Sequence, residues 1–75
     1  MEEKITAWIA RDKNGTLFLY IGSQPYKDNK NKVWLIDKDI DTLYVKAISN
    51  DNYPQVKWKD EEPTKVELTI KICEQ

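Results

Sequence analysis

Between Lys65 and Ile72 polar and apolar residues alternate without a break, Val66, Leu68, Ile70 and Ile72 on one side and Lys65, Glu67, Thr69 and Lys71 on the other. A repeat of two belongs to a strand and not to a helix. One apolar and one charged face predict an antiparallel sheet with one side in the core and the other in water. The same period opens the chain: Ile5, Ala7 and Ile9 alternate with Thr6, Trp8 and Ala10, which predicts a strand from Lys4 to Ala10. Arg11-Asp12-Lys13-Asn14-Gly15 follows, where Asp starts a type I turn and Asn-Gly supplies the positive φ that closes a hairpin. The next run, Thr16 to Ile21, places Leu17, Leu19 and Ile21 on one face and Phe18 and Tyr20 on the other. Two β-rich runs around a Gly-bearing turn are a strong hairpin signal.

Beyond the hairpin, Gly22 to Lys32 reads as a polar loop and Val33–Ile36 as a third strand. Asp37–Asp41 is a turn, and Thr42–Ile48 a fourth strand with Leu43, Val45 and Ala47 on one face. Ser49–Pro54 is a loop with room for one short helical turn, capped by Ser49 and stopped by Pro54. Val56–Lys59 alternates again and is expected to be a fifth strand, with Asp60-Glu61-Glu62-Pro63 turning the chain into the sixth. Six short strands at intervals of roughly 8–12 residues predict an all-β fold: a small antiparallel meander, a sandwich or a partly open barrel. No internal repeat or linker divides residues 1–75, so one small domain is expected.

The opening Ala7-Trp8-Ile9-Ala10-Arg11-Asp12 with Asn14-Gly15-Thr16-Leu17 resembles the start of a set of short uncharacterised bacterial and phage-associated proteins. Tyr53-Pro54-Gln55-Val56-Lys57-Trp58, with Asp60-Glu61-Glu62-Pro63 and Val66-Glu67-Leu68, is similar to the way they end. The two stretches cover about half the chain, at its two ends, and the stretch 23–52 lies outside them. The resemblance implies a compact all-β protein of gut bacteria or their mobile elements. It brings no activity, cofactor, ligand or site residue with it.

Composition removes several function classes. The chain is 40% hydrophobic and 33% charged, with 12 Lys+Arg against 13 Asp+Glu. This mixture folds, because a disordered chain would be poorer in aromatic and β-branched residues. There is no His, which takes away imidazole as base or metal ligand, and one Cys, which precludes an intrachain disulfide. Two glycines, Gly15 and Gly22, cannot form a phosphate-cradling loop. Glu61 and Glu62 are adjacent and would point opposite ways on a strand. Cys73 has no His to deprotonate it. The expectation is a protein that is not an enzyme and uses no cofactor. The start, Met1-Glu2-Glu3-Lys4, is acidic and its apolar stretch ends after six residues, unlike a signal peptide. No run has the length of a membrane span, so a cytoplasmic protein without membrane contact is expected.

Three constellations invite a function. Asp37, Asp39 and Asp41 alternate, but a calcium loop starting at Asp37 needs Gly and Glu where Thr42 and Ile48 stand. A solvated acidic turn is the better reading, with no metal. Tyr26 with Lys27, Lys30 and Lys32 offers basic charge beside an aromatic, ingredients of single-stranded nucleic-acid binders. Against it stand a net charge of −1 and a single Arg, Arg11. The third constellation is the abundance of rings, three Trp and four Tyr in 75 residues. Trp8, Phe18, Tyr20, Trp34 and Trp58 either complete a sheet with two partly buried faces or form an exposed patch for a protein partner. The predicted function is a protein-interaction or accessory module acting through those rings or a sheet edge, where edge pairing would also make a homodimer. The alternative is nucleic-acid binding by the Tyr26–Lys32 loop.

Overall fold

The computed structural model describes residues 2–37 and 44–71. The fold is all-β. Six strands follow one another: β1 (Glu2–Arg11), β2 (Leu17–Ile21), β3 (Tyr26–Asp28), β4 (Val33–Leu35), β5 (Tyr44–Ile48) and β6 (Thr64–Lys71). Four of them form an antiparallel sheet in the order β5-β2-β1-β6, while β3 and β4 make a separate hairpin. With β5 and β6 as its edges the sheet is open, and consecutive strands are not always neighbours, so the arrangement is neither a meander nor a closed barrel.

The first hairpin forms as the sequence predicts. Gly15 N–H donates to Asp12 O, Asp12 N–H donates to Thr16 O, both at 2.9 Å, and Gly15 holds φ +96°. The register then pairs Ile9 with Leu19 on one face and Trp8 with Tyr20 and Ala10 with Phe18 on the other. The sheet therefore has an aliphatic face and an aromatic face. Each has its own cover. On the aliphatic face Val56 packs on Ile9 and Leu17, with Leu19, Ile48 and Val66 around them. On the aromatic face Trp34 packs with Ala10 and Tyr20, flanked by Trp8, Phe18, Ile36 and Trp58.

Three expectations are corrected. Val56–Lys59 is not a strand: Val56 N–H donates to Tyr53 O, and Lys57 N–H donates to Asp60 Oδ2, which closes a turn. Val56 and Trp58 alternate because they serve opposite faces of the sheet as the chain crosses from one to the other. The polar loop 22–32 contains a strand, β3, whose register with β4 pairs Tyr26 with Leu35, Lys27 with Trp34 and Asp28 with Val33. Ser49–Pro54 holds turns and no helix, with Asn52 N–H donating to Ser49 O. The expected fourth strand starts within the described residues at Tyr44; Thr42, Leu43, most of the Asp37–Asp41 turn, Ile72 and Cys73 lie outside them.

The sheet is covered over only part of its length. β1 pairs with β2 from Ala7 to Arg11 and with β6 from Glu2 to Ile9. Residues 2–6 and 67–71 therefore project as a two-stranded ribbon. There the apolar face of β6 meets water, since Ile70 is 51% exposed where the alternation had placed it in the core.

Candidate functional site

Two neighbouring residues at the end of β1 point to opposite faces and pin the two covers. Arg11 spends its guanidinium on backbone carbonyls. Nε donates to Val56 O at 2.7 Å, Nη1 to Gly15 O and Asn50 O, and Nη2 to Asn52 O and Tyr53 O. Five N–H groups meet five acceptors, the full donor capacity of the side chain. Asn50 Oδ1 adds a tie by accepting Leu17 N–H at 3.1 Å. Arg11 is the single Arg of the sequence, the residue type preferred for phosphate and bases; the fold uses it as a clamp on the 50–56 loop.

Asp12 does the corresponding work on the aromatic face. Its Oδ1 accepts Trp34 N–H at 2.9 Å, and the Trp34 indole Nε1–H donates to Arg11 O at 3.0 Å. Both ties hold β4 over the sheet. Asp12 is only 7% exposed, and burial raises its carboxyl above the ordinary 3.8 despite the Trp34 N–H that favours the charged form. Burial also pushes the Tyr20 phenol up to about 12, and the nearby Asp12 charge adds to the rise.

All five rings singled out from the sequence belong to this one cluster, so the structure brings them together. It also ranks them. Tyr20 and Trp34 are buried, at 3% and 6% exposure, whereas Trp8, Phe18 and Trp58 are half-buried. Phe18 tilts against Tyr20 at 6.3 Å between centroids, and Trp34 meets Trp58 edge-to-face at 6.2 Å. The cluster is thus mainly a second core, with part of its rim open.

The Tyr26–Lys32 segment does not act as one loop. Lys27 lies in β3 and turns inward: its Nζ sits 4.4 Å from the Trp58 ring and 5.3 Å from Trp34, and donates to Trp58 O at 2.6 Å. Tyr26 is exposed at the open end of the β3–β4 hairpin. Lys30 and Lys32 stand exposed at its tip, where Asp28 accepts the N–H groups of Lys30 and Asn31 and the Asn31 amide. Those bonds, led by the Asn31 side chain, lower the Asp28 carboxyl below its ordinary value. Lys13 N–H donates to Lys32 O at 3.2 Å and joins the two hairpin tips, so Lys13, Asn14, Asn31, Lys32 and Val33 line a polar hollow of about 330 Å³.

A different cavity lies beside the edge strand β5. Phe18, Tyr20, Trp34, Leu35, Ile36 and Val45 surround an apolar groove of about 340 Å³, and Asp12 is part of its lining. Its outer wall is β5, whose Tyr44 and Val45 are 51% and 40% exposed. Sequence reasoning placed Val45 on one face of the fourth strand with Leu43 and Ala47 and left Val45, Leu35 and Tyr44 out of the candidate set; the exposed edge depends on strand order, which periodicity does not carry. On the aliphatic face a smaller groove of about 210 Å³ runs between Leu19, Ile48, Val66 and Tyr53. Among the described residues no group of three potential ligands is placed to hold a metal ion. Comparison with known proteins returns no match: no protein family, no curated protein and no solved structure is similar to this chain.

Proposed function

We propose that the protein is a non-catalytic interaction module that takes up an extended segment of a partner protein along β5. The observation that carries this reading is the coincidence of an edge strand with no strand partner on its outer side among the described residues, with exposed Tyr44 and Val45, and an apolar groove directly beside it. An added strand gains main-chain hydrogen bonds from the edge, and a groove beside it receives alternate side chains. Exposed apolar edges otherwise invite aggregation and are usually blunted by charge or proline. β5 carries one Lys, Lys46, and no proline. A second copy of the chain is a poorer occupant of this edge. A two-fold pairing centred on the strand sets Lys46 opposite Lys46, a destabilising like-charge pair.

The experiment is a tagged pull-down from the host lysate with nuclease present, comparing the wild type with Val45→Asp. Val45 is half exposed, so the variant folds while placing a charge on the edge. A stoichiometric protein held by the wild type and lost by Val45→Asp is expected. Equal capture by both would overturn the reading.

One observation favours nucleic acid as a second reading: the polar hollow that joins Lys13 and Lys32 at the two hairpin tips. Binding there would weaken steeply with salt, because phosphate contacts release counterions. It would also lose strength in Lys13→Gln and Lys32→Gln, and it would not need Lys27.

A further inference from the structure

The groove beside β5 holds a carboxylate whose charge the tie to Trp34 does not require. Asp12 Oδ1 accepts the Trp34 N–H, and among the described residues no other donor reaches the side chain. No fully enclosed side-chain oxygen there lacks a partner, so Oδ2 is accessible, and the groove is the cavity Asp12 lines. Among the described residues no cation pairs with it; the neighbouring Arg11 turns to the other face and Lys27 is held on Trp58. An asparagine would accept the Trp34 N–H equally well at far lower desolvation cost. A nearly buried carboxylate is ordinarily paired, and this one shares its groove with the rings of Phe18, Tyr20 and Trp34. The same cluster already seats one ammonium, that of Lys27, at 4.4 Å from a ring.

We propose that this groove receives the primary ammonium of a lysine-like side chain, carried by the strand that adds to β5. The choice of partner strand as its source rests on the reading of the preceding section. Lysine fits better than arginine because a guanidinium is best satisfied by both carboxylate oxygens at once, and Oδ1 is already engaged. The alkyl stem lies against Leu35, Ile36 and Val45 at the apolar rim, and the ammonium sits between Asp12 Oδ2 and the rings. The site is a specificity element: it selects a basic residue at one position of an otherwise main-chain-recognised segment.

The test uses n-butylammonium as the isolated head group, pentan-1-ol as its neutral counterpart and n-propylguanidinium as the planar cation, each titrated while the Trp34 indole resonance is followed by NMR. Butylammonium is expected to bind about tenfold more tightly than either comparison compound, the scale of one charge-assisted contact. Asp12→Asn, which keeps the Trp34 acceptor, removes that preference, and Phe18→Leu weakens it while leaving the charge. Equal binding of butylammonium and pentanol, or an Asp12→Asn variant that binds butylammonium unchanged, overturns the proposal. A second arm separates it from strand addition by comparing acetyl-Thr-Val-Lys-Val-Thr-amide with its norleucine twin. Asp12-dependent butylammonium binding with neither peptide bound keeps the ammonium site and overturns strand addition. Both peptides binding alike at β5 keeps strand addition and overturns the ammonium site.

Discussion

The two faces of the sheet solve the same problem by different chemistry. On the aliphatic face an irregular loop is held down by a cation: Arg11 gathers the carbonyls of residues 50, 52, 53 and 56, and Val56 seals Ile9 and Leu17. On the aromatic face a regular hairpin is held down by an anion: Asp12 takes the Trp34 N–H, and the rings do the sealing. The difference lies in what is left over. Arg11 is saturated, so the smaller groove on its face has no side-chain charge of Arg11 left over to recognise a ligand. Asp12 keeps an accessible oxygen over an open groove, so its face retains a site. A domain this small has little core to spare for two faces. Each cover therefore carries a large share of the stability.

The sharpest break of the comparison is Trp34→Ala. It removes the buried Trp ring of the aromatic cover and the indole tie to Arg11 O, while the main-chain N–H stays on Asp12, and a loss of about 3–5 kcal/mol in chemical denaturation is expected. Most of the fold's stability disappears with it. Arg11→Met keeps the stem and removes the donors. The expected loss is about 1.5–3 kcal/mol, because the part-buried carbonyls of Val56 and Gly15 lose charge-assisted partners while the exposed ones at 50, 52 and 53 turn to water. Trp fluorescence, which reports the other face, should keep its native maximum in that variant below its own transition.

The Asp12 prediction is smaller and has a definite sign. Its folded carboxyl titrates above the ordinary 3.8, so the native state binds this proton more tightly than the unfolded state. The Asp12 contribution is full below 3.8 and is lost as pH rises through the folded value. Going from neutral toward pH 3.8, the wild type should gain stability relative to Asp12→Asn, as measured by urea midpoints at each pH. Asp28 works in the opposite direction. Its lowered carboxyl supports the fold above 3.8, and that support fades as pH falls through the folded value. The Asn31→Ala variant should accordingly show a weaker acid loss. The smallest effect belongs to the surface of the projecting ribbon, where Lys4 Nζ and Glu67 Oε1 lie 3.8 Å apart in exposed side chains. Removing either should change stability by less than about 0.5 kcal/mol.

Much of this architecture was legible in the sequence, and the failures have identifiable causes. The β1–β2 hairpin was written in local terms: alternation, an Asn-Gly turn, and Phe18 and Tyr20 opposite Leu17 and Leu19. The two-faced sheet followed from the same alternation. β3 was hidden because Tyr26-Lys27-Asp28 has one apolar residue, and its pairing comes from β4 and from its seat on Trp58. Val56–Lys59 misled because a strand and a crossing loop both place every second side chain in an apolar setting when each serves a different face. The five rings singled out from the sequence lie in one cluster, but composition does not say which are buried. Arg11 as clamp was invisible, since its acceptors on the 50–56 loop are backbone carbonyls about forty residues away, with no residue type to mark them. Asp12 was readable as a turn residue; its burial under Trp34 was a product of tertiary structure.

The most direct test of β5 as the docking edge is site-specific photo-crosslinking in the native host, with the probe at Lys46 on one edge of the sheet and at Lys65 on the other. A single protein adduct from position 46, absent from position 65 and suppressed by Val45→Asp, is the predicted result. An adduct formed only from position 65, or one from position 46 that survives Val45→Asp, would contradict it.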